Sequence, residues 1–162
     1  MIRALAITVS TRAAAGERSD ASGEALVEGL RSMGFHVDGP QVVADGQPVE
    51  IALREGLEGD YDLILTTGGT GLTPADLTPE ATAQVVERLV PGIPEALRAD
   101  GLRRGIASSQ LSRGIAGVKG RTLVINLAGS PGAVNDGIEV LRPILVHAID
   151  QLSGGDHAAS RG

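Results

Sequence analysis

The sequence predicts a three-layer α/β/α domain with a mainly parallel sheet. Short, nearly continuous apolar runs alternate with segments whose apolar residues recur at helical spacing. Continuous apolar runs are typical of parallel strands, because helices cover both faces of such a sheet. The 162 residues suit one domain. We expect this domain to occupy residues 1–153 and residues 154–162, which are small or polar, to form a disordered tail.

Three apolar runs predict the main strands, at residues 5–9, 63–66 and 123–127. Two shorter runs, 35–37 and 42–43, indicate a weaker strand that comes between the first two along the chain. Strands that alternate with helices favour parallel pairing, because each crossover helix returns the chain to the same end of the sheet.

Helices are predicted where apolar residues recur every three or four positions. Two such sets are Leu26, Leu30 and Met33, and then Val49, Leu53 and Leu57. The first set follows polar capping residues at 19–22, and the second follows Pro48, which suits the first helical turn. The longest pattern, from Val134 to Leu152, predicts one helix over most of 131–152, kinked at Pro143.

Composition excludes several kinds of site. With no cysteine, the chain has no thiolate nucleophile and no ligands for a zinc–thiolate or iron–sulfur centre. Phe35 and Tyr61 are the two aromatic residues, too few for a groove that stacks nucleic-acid bases. The net charge is −6, yet residues 98–121 carry six cationic side chains against one carboxylate. This pattern suits a small polyanion, although the charge count alone favours a solvated basic face. The apolar start ends at Val9, so we expect a cytoplasmic protein without a membrane segment.

Three polar or glycine-rich segments follow the main strands, at residues 10–16, 66–80 and 128–133. The carboxyl ends of parallel strands meet at one edge of a sheet, and ligands bind outside that edge. Gly68, Gly69 and Gly71 leave backbone N–H groups unshielded, and the hydroxyls of Thr67 and Thr70 add donors. This loop suits a phosphate or another oxyanion, although a strand-to-helix turn without a ligand remains the alternative.

Asp76 lies just before a predicted helix start at 78–80. A carboxylate beside a bound anion repels it unless a cation lies between them, so a phosphate in the glycine loop implies Mg²⁺ at Asp76. Asp45, which precedes Pro48, is a second candidate ligand. A helix cap or turn is the alternative role for either aspartate.

Two further segments carry candidate binding residues. Ser130 followed by Pro131 predicts a helix N-cap, and the flanking Gly129 and Gly132 leave N–H groups accessible to an anion or to the polar edge of a nucleotide. Ser112 and Arg113 lie side by side within the basic stretch, where Arg113 could clamp a phosphate with two hydrogen bonds. An exposed surface arginine is the equal alternative.

Taken together, the motifs resemble the signatures of the MogA/MoaB family of molybdenum cofactor biosynthesis. They are residues 67–71, 76–81, 111–113 and 126–134, with an N-terminal loop at 10–23, and the resemblance runs from about residue 4 to residue 152. It implies a molybdopterin-binding α/β fold in a homotrimer or homohexamer. It also implies adenylylation of molybdopterin by Mg²⁺ and ATP, with release of pyrophosphate. Other molybdenum cofactor enzymes are expected as partners, and nucleic acid and membranes are not.

The resemblance also implies a role for individual residues. Asp45 and Asp76 match two acidic positions required for adenylylation and are expected to be catalytic and to bind Mg²⁺. Molybdopterin is expected to contact Thr67, Gly68, Gly69, Thr70, Gly71, Ser112 and Arg113. The nucleotide is expected to contact Ser10, Gly129, Ser130 and Gly132. Ala128 stands where the family usually has proline, which frees the backbone but removes no reacting group.

Three other functions stay open. A non-catalytic molybdopterin carrier or paralogue of the MoaB type would bind the pterin without releasing pyrophosphate. A molybdate-inserting protein shares the fold but usually has additional domains. A flavodoxin-like FMN binder would need aromatic residues to enclose the flavin, and this chain has two.

Overall fold

The computed structural model describes residues 1–155, which contain one six-stranded sheet. The strands are Arg3–Val9 (β1), His36–Val43 (β2), Leu63–Thr67 (β3), Arg88–Leu89 (β4), Ala116–Lys119 (β5) and Thr122–Leu127 (β6). Their order is β2-β1-β3-β6-β5-β4. β2, β1, β3 and β6 pair in parallel, whereas β5 pairs antiparallel with both β6 and β4. The predicted mainly parallel sheet is therefore confirmed, and the four predicted strands correspond to β1, β2, β3 and β6.

Helices cover both faces of this sheet. They are Thr11–Ala14 (α1), Ala21–Arg31 (α2), Gln47–Glu58 (α3), Thr78–Val85 (α4), Gly92–Arg103 (α5), Pro131–Leu141 (α6) and Leu145–Leu152 (α7), with a short 3-10 helix at Ala107–Leu111. Apolar residues of α2, α5, α6 and α7 pack on one face, and those of α3 and α4 pack on the other. This arrangement confirms the three layers. Among residues 1–155, no helix combines the length and the apolar composition needed to cross a bilayer.

The central strands are apolar throughout because each face of the sheet has its own core. Along β1, Ala4 and Ala6 face one core, whereas Leu5, Ile7 and Val9 face the other. Successive side chains of a strand point to opposite faces, so a sheet covered on both sides needs apolar residues at every position.

The predicted tail, 154–162, lies outside the described residues from position 156 onward.

The prediction of a single kinked helix over 131–152 is wrong. α6 ends at Leu141 and α7 begins at Leu145, so Pro143 separates two helices. Proline has no N–H to donate, and its ring clashes with the carbonyl four residues earlier. Leu141 and Leu145 are nonetheless both fully buried in the same core, which explains why the apolar spacing continues across the break.

Asp100 forms ion pairs within α5, and one of its partners, Arg104, also pairs with residues of α6. Its buried carboxylate accepts from Arg104 Nε at 2.7 Å and from Arg103, and Arg104 also pairs with Asp136 and Glu139. These contacts, chiefly the hydrogen bond from Arg104, hold the pKa of Asp100 below its ordinary value of 3.8. The ionised carboxylate therefore stabilises the folded state at neutral pH.

We expect Asp100→Asn to lower the urea midpoint at pH 7, because asparagine keeps the shape but loses the charge. The carboxylate contribution is present above the ordinary pKa of 3.8 and is lost as the pH falls through the lower folded-state value. The difference in urea midpoint between the variant and wild type should therefore become smaller as the pH falls below 3.8. The exposed Glu55→Gln in α3 is the control. A gap that stays constant down to full protonation would contradict the ion-pair explanation.

Candidate functional site

The candidate site lies at the carboxyl edge of β1, β3 and β6. The last residues of these strands are in register, with Thr8 beside Thr67 and Thr67 beside Leu127. The segments that follow them therefore meet, as the sequence predicts. Two cavities open here, a mainly apolar one of about 870 Å³ and a polar one of about 270 Å³. Their linings share Gly69, Asp76 and Gly129.

The glycine loop after β3 has a backbone that side chains would disrupt. Gly68 and Gly69 have φ values of +99° and +67°, and a Cβ on Gly68 would lie 2.2 Å from the carbonyl oxygen of Val9. Among residues 1–155, the backbone N–H groups of Gly69, Thr70 and Gly71 donate to no protein acceptor. Consecutive free N–H groups in such a turn form an anion-binding concavity.

Thr78, the first residue of α4, anchors the glycine loop through two hydrogen bonds. It is fully buried, its Oγ1 donates to the Gly68 carbonyl at 2.9 Å, and its N–H donates to the Gly69 carbonyl at 3.1 Å. The predicted helix start at 78–80 is confirmed. The helix start thereby fixes the conformation of the loop.

We expect Thr78→Val to lower the free energy of unfolding by about 1–3 kcal/mol, because it leaves the Gly68 carbonyl without its side-chain donor. Valine matches threonine in shape, so packing loss contributes little. Thr78→Ser keeps the hydroxyl and should lose less than Val. Urea unfolding at pH 7 measures both variants, and a valine variant as stable as wild type would show that the hydroxyl does not hold the loop.

Asp76 lines both cavities. Its Oδ2 accepts from the Thr73 N–H at 3.0 Å and from Thr73 Oγ1 at 2.8 Å. A Cβ on Gly71 would lie 2.8 Å from the same oxygen, so the carboxylate lies directly against the glycine loop. The structure thus places an anionic group beside free N–H groups, which is the combination that calls for a cation when phosphate binds.

Asp45 lines the polar cavity beside Gly69. Its Oδ2 accepts from Thr11 Oγ1 at 2.7 Å and from the Thr11 N–H at 3.3 Å, and its Oδ1 would lie 3.2 Å from a Cβ on Gly69. Within residues 1–155, no group of three or more His, Cys, Asp or Glu residues could hold a metal by itself. Two carboxylates completed by substrate phosphate oxygens are instead the donor set that Mg²⁺ favours.

A second loop, after β6, faces the first. Gly129 packs so closely on Gly68 that a Cβ would lie 3.0 Å from the Gly68 Cα. Ser130 Oγ accepts from the Ala133 N–H at 3.1 Å, which confirms the predicted N-cap of α6. Gly132 lines the large cavity with Ser130, and among the described residues the N–H groups of Gly129, Ser130 and Gly132 have no protein acceptor.

The residues predicted for the nucleotide are divided between the two cavities. Ser10 lines the polar cavity, where its Oγ accepts from the Ala13 N–H at 3.2 Å and caps α1. Ser130 and Gly132 line the large cavity, and Gly129 lines both. Of the residues predicted for the pterin, Gly69, Thr70, Gly71 and Ser112 line the large cavity and Gly68 lines the polar one.

Thr67 is placed differently from the prediction. It is fully buried, and its Oγ1 donates to the Ala128 carbonyl at 2.8 Å, so the hydroxyl joins the two loops. Thr67 lines neither cavity. The hydroxyl of Thr67 is therefore bonded to the protein backbone, and its expected contact with molybdopterin stays a prediction.

Arg113 is also placed differently from the expected phosphate clamp. Its Nε donates to the Gly71 carbonyl at 2.9 Å, and its Nη2 donates to the Asp76 carbonyl at 2.6 Å. The rest of the guanidinium pairs with Glu80, and this hydrogen bond is the main cause that lowers the pKa of Glu80. Arg113 lines neither cavity, so its donors serve the protein.

Sequence reasoning missed several residues that shape the site. Thr73 orients the Asp76 carboxylate, and its position three residues earlier was the available signal. Arg12 and Arg18 line the polar cavity beside Asp45. Asn126 is buried in β6, and its side chain bonds to Thr66, Thr82 and the Ile115 N–H. An amide inside an apolar strand was the signal for that network.

Comparison with known proteins places this geometry in a family. A family model described as "Probable molybdopterin binding domain" matches residues 5–147. A Helicobacter pylori protein named molybdopterin adenylyltransferase is 33% identical over 155 residues, which cover 91% of this chain and 86% of that protein. A crystal structure of the molybdopterin biosynthesis enzyme MoaB from Thermus thermophilus has a TM-score of 0.88 at 43% identity, covering 95% of this chain and 98% of that one.

A longer relative shows the same similarity over part of its length. A Chlorobaculum tepidum protein named molybdenum cofactor biosynthesis bifunctional protein is 39% identical over an alignment 162 residues long. The alignment covers 96% of this chain and 50% of that protein. The chain thus spans about half the length of the bifunctional relatives that it matches. The family model nevertheless covers most of this chain. The chain therefore belongs to the MogA/MoaB molybdopterin-binding family.

Proposed function

We propose that this chain is a molybdopterin adenylyltransferase that acts in molybdenum cofactor biosynthesis. A phosphate oxygen of molybdopterin attacks the α-phosphorus of ATP and forms a new P–O bond. The bond between the α-phosphorus and its bridging oxygen breaks, and pyrophosphate leaves with the electron pair. One observation carries the proposal: two loops with free N–H groups and the Asp76 carboxylate lie where two cavities meet, and the Asp45 carboxylate lines the polar cavity beside them.

The two cavities suit the two sides of such a displacement. In an in-line reaction, the attacking and leaving oxygens lie on opposite sides of the α-phosphorus. We assign the pterin and the nucleoside to the large cavity and the β- and γ-phosphates to the polar one, where Arg12 and Arg18 add positive charge. The α-phosphate then lies at the shared residues Gly69, Asp76 and Gly129.

Positioning and charge stabilisation are what this reaction requires of the protein. The substrate supplies its own nucleophile, so the chain needs no nucleophilic side chain. Free N–H groups of Gly69, Thr70 and Gly71 stabilise phosphate oxygens, and the second loop does so from the opposite side. Asp45 and Asp76 would hold Mg²⁺, which supplies positive charge against the phosphates and the leaving pyrophosphate.

The test combines the purified protein with molybdopterin, ATP and Mg²⁺. We expect pyrophosphate to be released in equal amount with adenylyl-molybdopterin. Omission of molybdopterin is the control, because hydrolysis of ATP to AMP and pyrophosphate would continue in the absence of molybdopterin. Molybdopterin binding without pyrophosphate release would instead identify a non-catalytic pterin-binding protein.

We also propose that the chain forms a homotrimer or homohexamer. The proposal is supported by large apolar side chains that are exposed in β4 and α5, namely Leu89 and Leu102, which line neither cavity. We expect light scattering after gel filtration to give three or six times the chain mass. A monomeric mass at micromolar concentration would contradict the proposal.

A further inference from the structure

We infer that Arg113 and Glu80 form a clasp that positions Asp76 for the reaction without touching either substrate. Arg113 follows the 3-10 helix, and Glu80 lies in the first turn of α4. The segment 71–76 runs between them and carries Asp76. We call these two side chains the clasp.

Arg113 binds the segment at both of its ends. Its N–H donates to the Thr70 carbonyl at 2.8 Å, its Nε donates to the Gly71 carbonyl at 2.9 Å, and its Nη2 donates to the Asp76 carbonyl at 2.6 Å. A guanidinium is planar and presents its donors at fixed angles. One rigid group therefore sets the distance between Gly71 and Asp76.

Glu80 completes the clasp from α4. Its carboxylate accepts from the terminal nitrogens of Arg113, which orients the guanidinium toward the two carbonyls. With its nitrogens engaged in this way, Arg113 faces the loop, and it lines neither cavity. Its effect on substrate is therefore indirect and passes through Asp76.

The segment has no other hydrogen-bonded anchor in the described part of the chain. The bonds from Thr73 to Asp76 lie inside 71–76, so they shape the segment but do not attach it. Among residues 1–155, the hydrogen bonds between 71–76 and the rest of the chain all come from Arg113. Loss of this residue should therefore release the segment as a whole.

This inference rests on the proposed function, because Asp76 is assigned there to Mg²⁺ and the reacting phosphates. A loosened Asp76 should weaken the use of metal and nucleotide, whereas molybdopterin binding, which depends on the large cavity, should change little. A residue that contacts the pterin phosphate directly would show the reverse pattern. These opposite patterns separate positioning from direct substrate contact.

The experiment compares Arg113→Lys and Glu80→Gln with Glu87→Gln as the matched control. Glu87 pairs with Lys119 at 2.7 Å, and its side chain is 55% exposed, close to the 51% of Glu80. Glu87 lines neither cavity. Three quantities are measured: amide hydrogen exchange of 71–77 in the ligand-free protein, the Mg²⁺ concentration for half-maximal rate, and the Kd of molybdopterin.

For Arg113→Lys we expect exchange in 71–77 and the half-maximal Mg²⁺ concentration each to rise about tenfold or more, with the Kd of molybdopterin within about twofold. Glu80→Gln should shift the same two quantities by less, and Glu87→Gln should match wild type. If the lysine variant fails to fold, Glu80→Gln alone carries the test.

Unchanged exchange and unchanged Mg²⁺ dependence in both clasp variants would overturn the inference. So would a higher Kd of molybdopterin with the other two quantities unchanged, which would mean that Arg113 binds substrate. Hydrogen exchange needs no turnover. If wild type transfers no AMP, the proposed function fails, while faster exchange in 71–77 still supports the clasp.

Discussion

Asp76→Asn is expected to reduce AMP transfer by about 10²–10³-fold while the protein remains folded. Asparagine keeps an oxygen that can accept from Thr73, so the segment 71–76 keeps its shape. The negative charge is lost at the point where the two cavities meet. The pyrophosphate-release assay measures the rate, and the Kd of molybdopterin should change little.

The matched control for this variant is Asp60→Asn, which removes one carboxylate from an exposed turn. Asp60 has a φ of +56°, a conformation that asparagine tolerates well, so the control should also fold normally. Its rate should equal that of wild type. Turnover of the Asp76 variant within about threefold of this control would contradict the proposed catalytic role of Asp76.

Gly68→Ala is expected to lower the free energy of unfolding by about 2–4 kcal/mol, the largest loss of stability predicted for any glycine of the site. Alanine is strained at a φ of +99°, and its Cβ would lie 2.2 Å from the Val9 carbonyl oxygen. That oxygen belongs to the backbone of a buried strand, so it cannot move aside. Urea unfolding at pH 7 measures the loss.

Gly92→Ala is the control for the glycine substitution. Gly92 is the first residue of α5, and no atom lies within 4 Å of the position that its Cβ would take. This variant should be as stable as wild type or slightly more stable. Equal stability of the Gly68 and Gly92 variants would show that the loop can relax and does not depend on this glycine.

The elements predicted correctly from the sequence are those whose pattern reflects burial. The strands β1, β3 and β6 are buried on both faces, so their residues are apolar throughout. β4 has two residues and β5 has four, too few for a pattern to emerge. The break at Pro143 was missed because the two helices share one core and so continue one apolar spacing.

The sequence predicts which loops meet at the candidate site, but it does not predict the partners of their side chains. Loops that follow parallel strands must share an edge, so the sequence alone suffices to place Asp76 beside the glycine loop. The sequence alone does not predict which groups the side chains of the site bond to. Arg113 reaches carbonyls 37 and 42 positions away in the sequence, and Thr67 reaches a carbonyl 61 positions away. Contacts at such separations depend on how the loops pack at the edge of the folded sheet, and the local spacing of residues does not specify that packing.

The contact between Gly68 and Gly129 limits how this protein can change over evolution. With 3.0 Å between the Gly68 Cα and the position of a Cβ on Gly129, a side chain at Gly129 would require the Gly68 loop to shift. Adaptation to a different ligand would have to use the outer rim, at exposed positions such as Leu72, Ile106 and Leu111. Substitutions at the rim can thus accumulate without altering the contact between the two glycine loops.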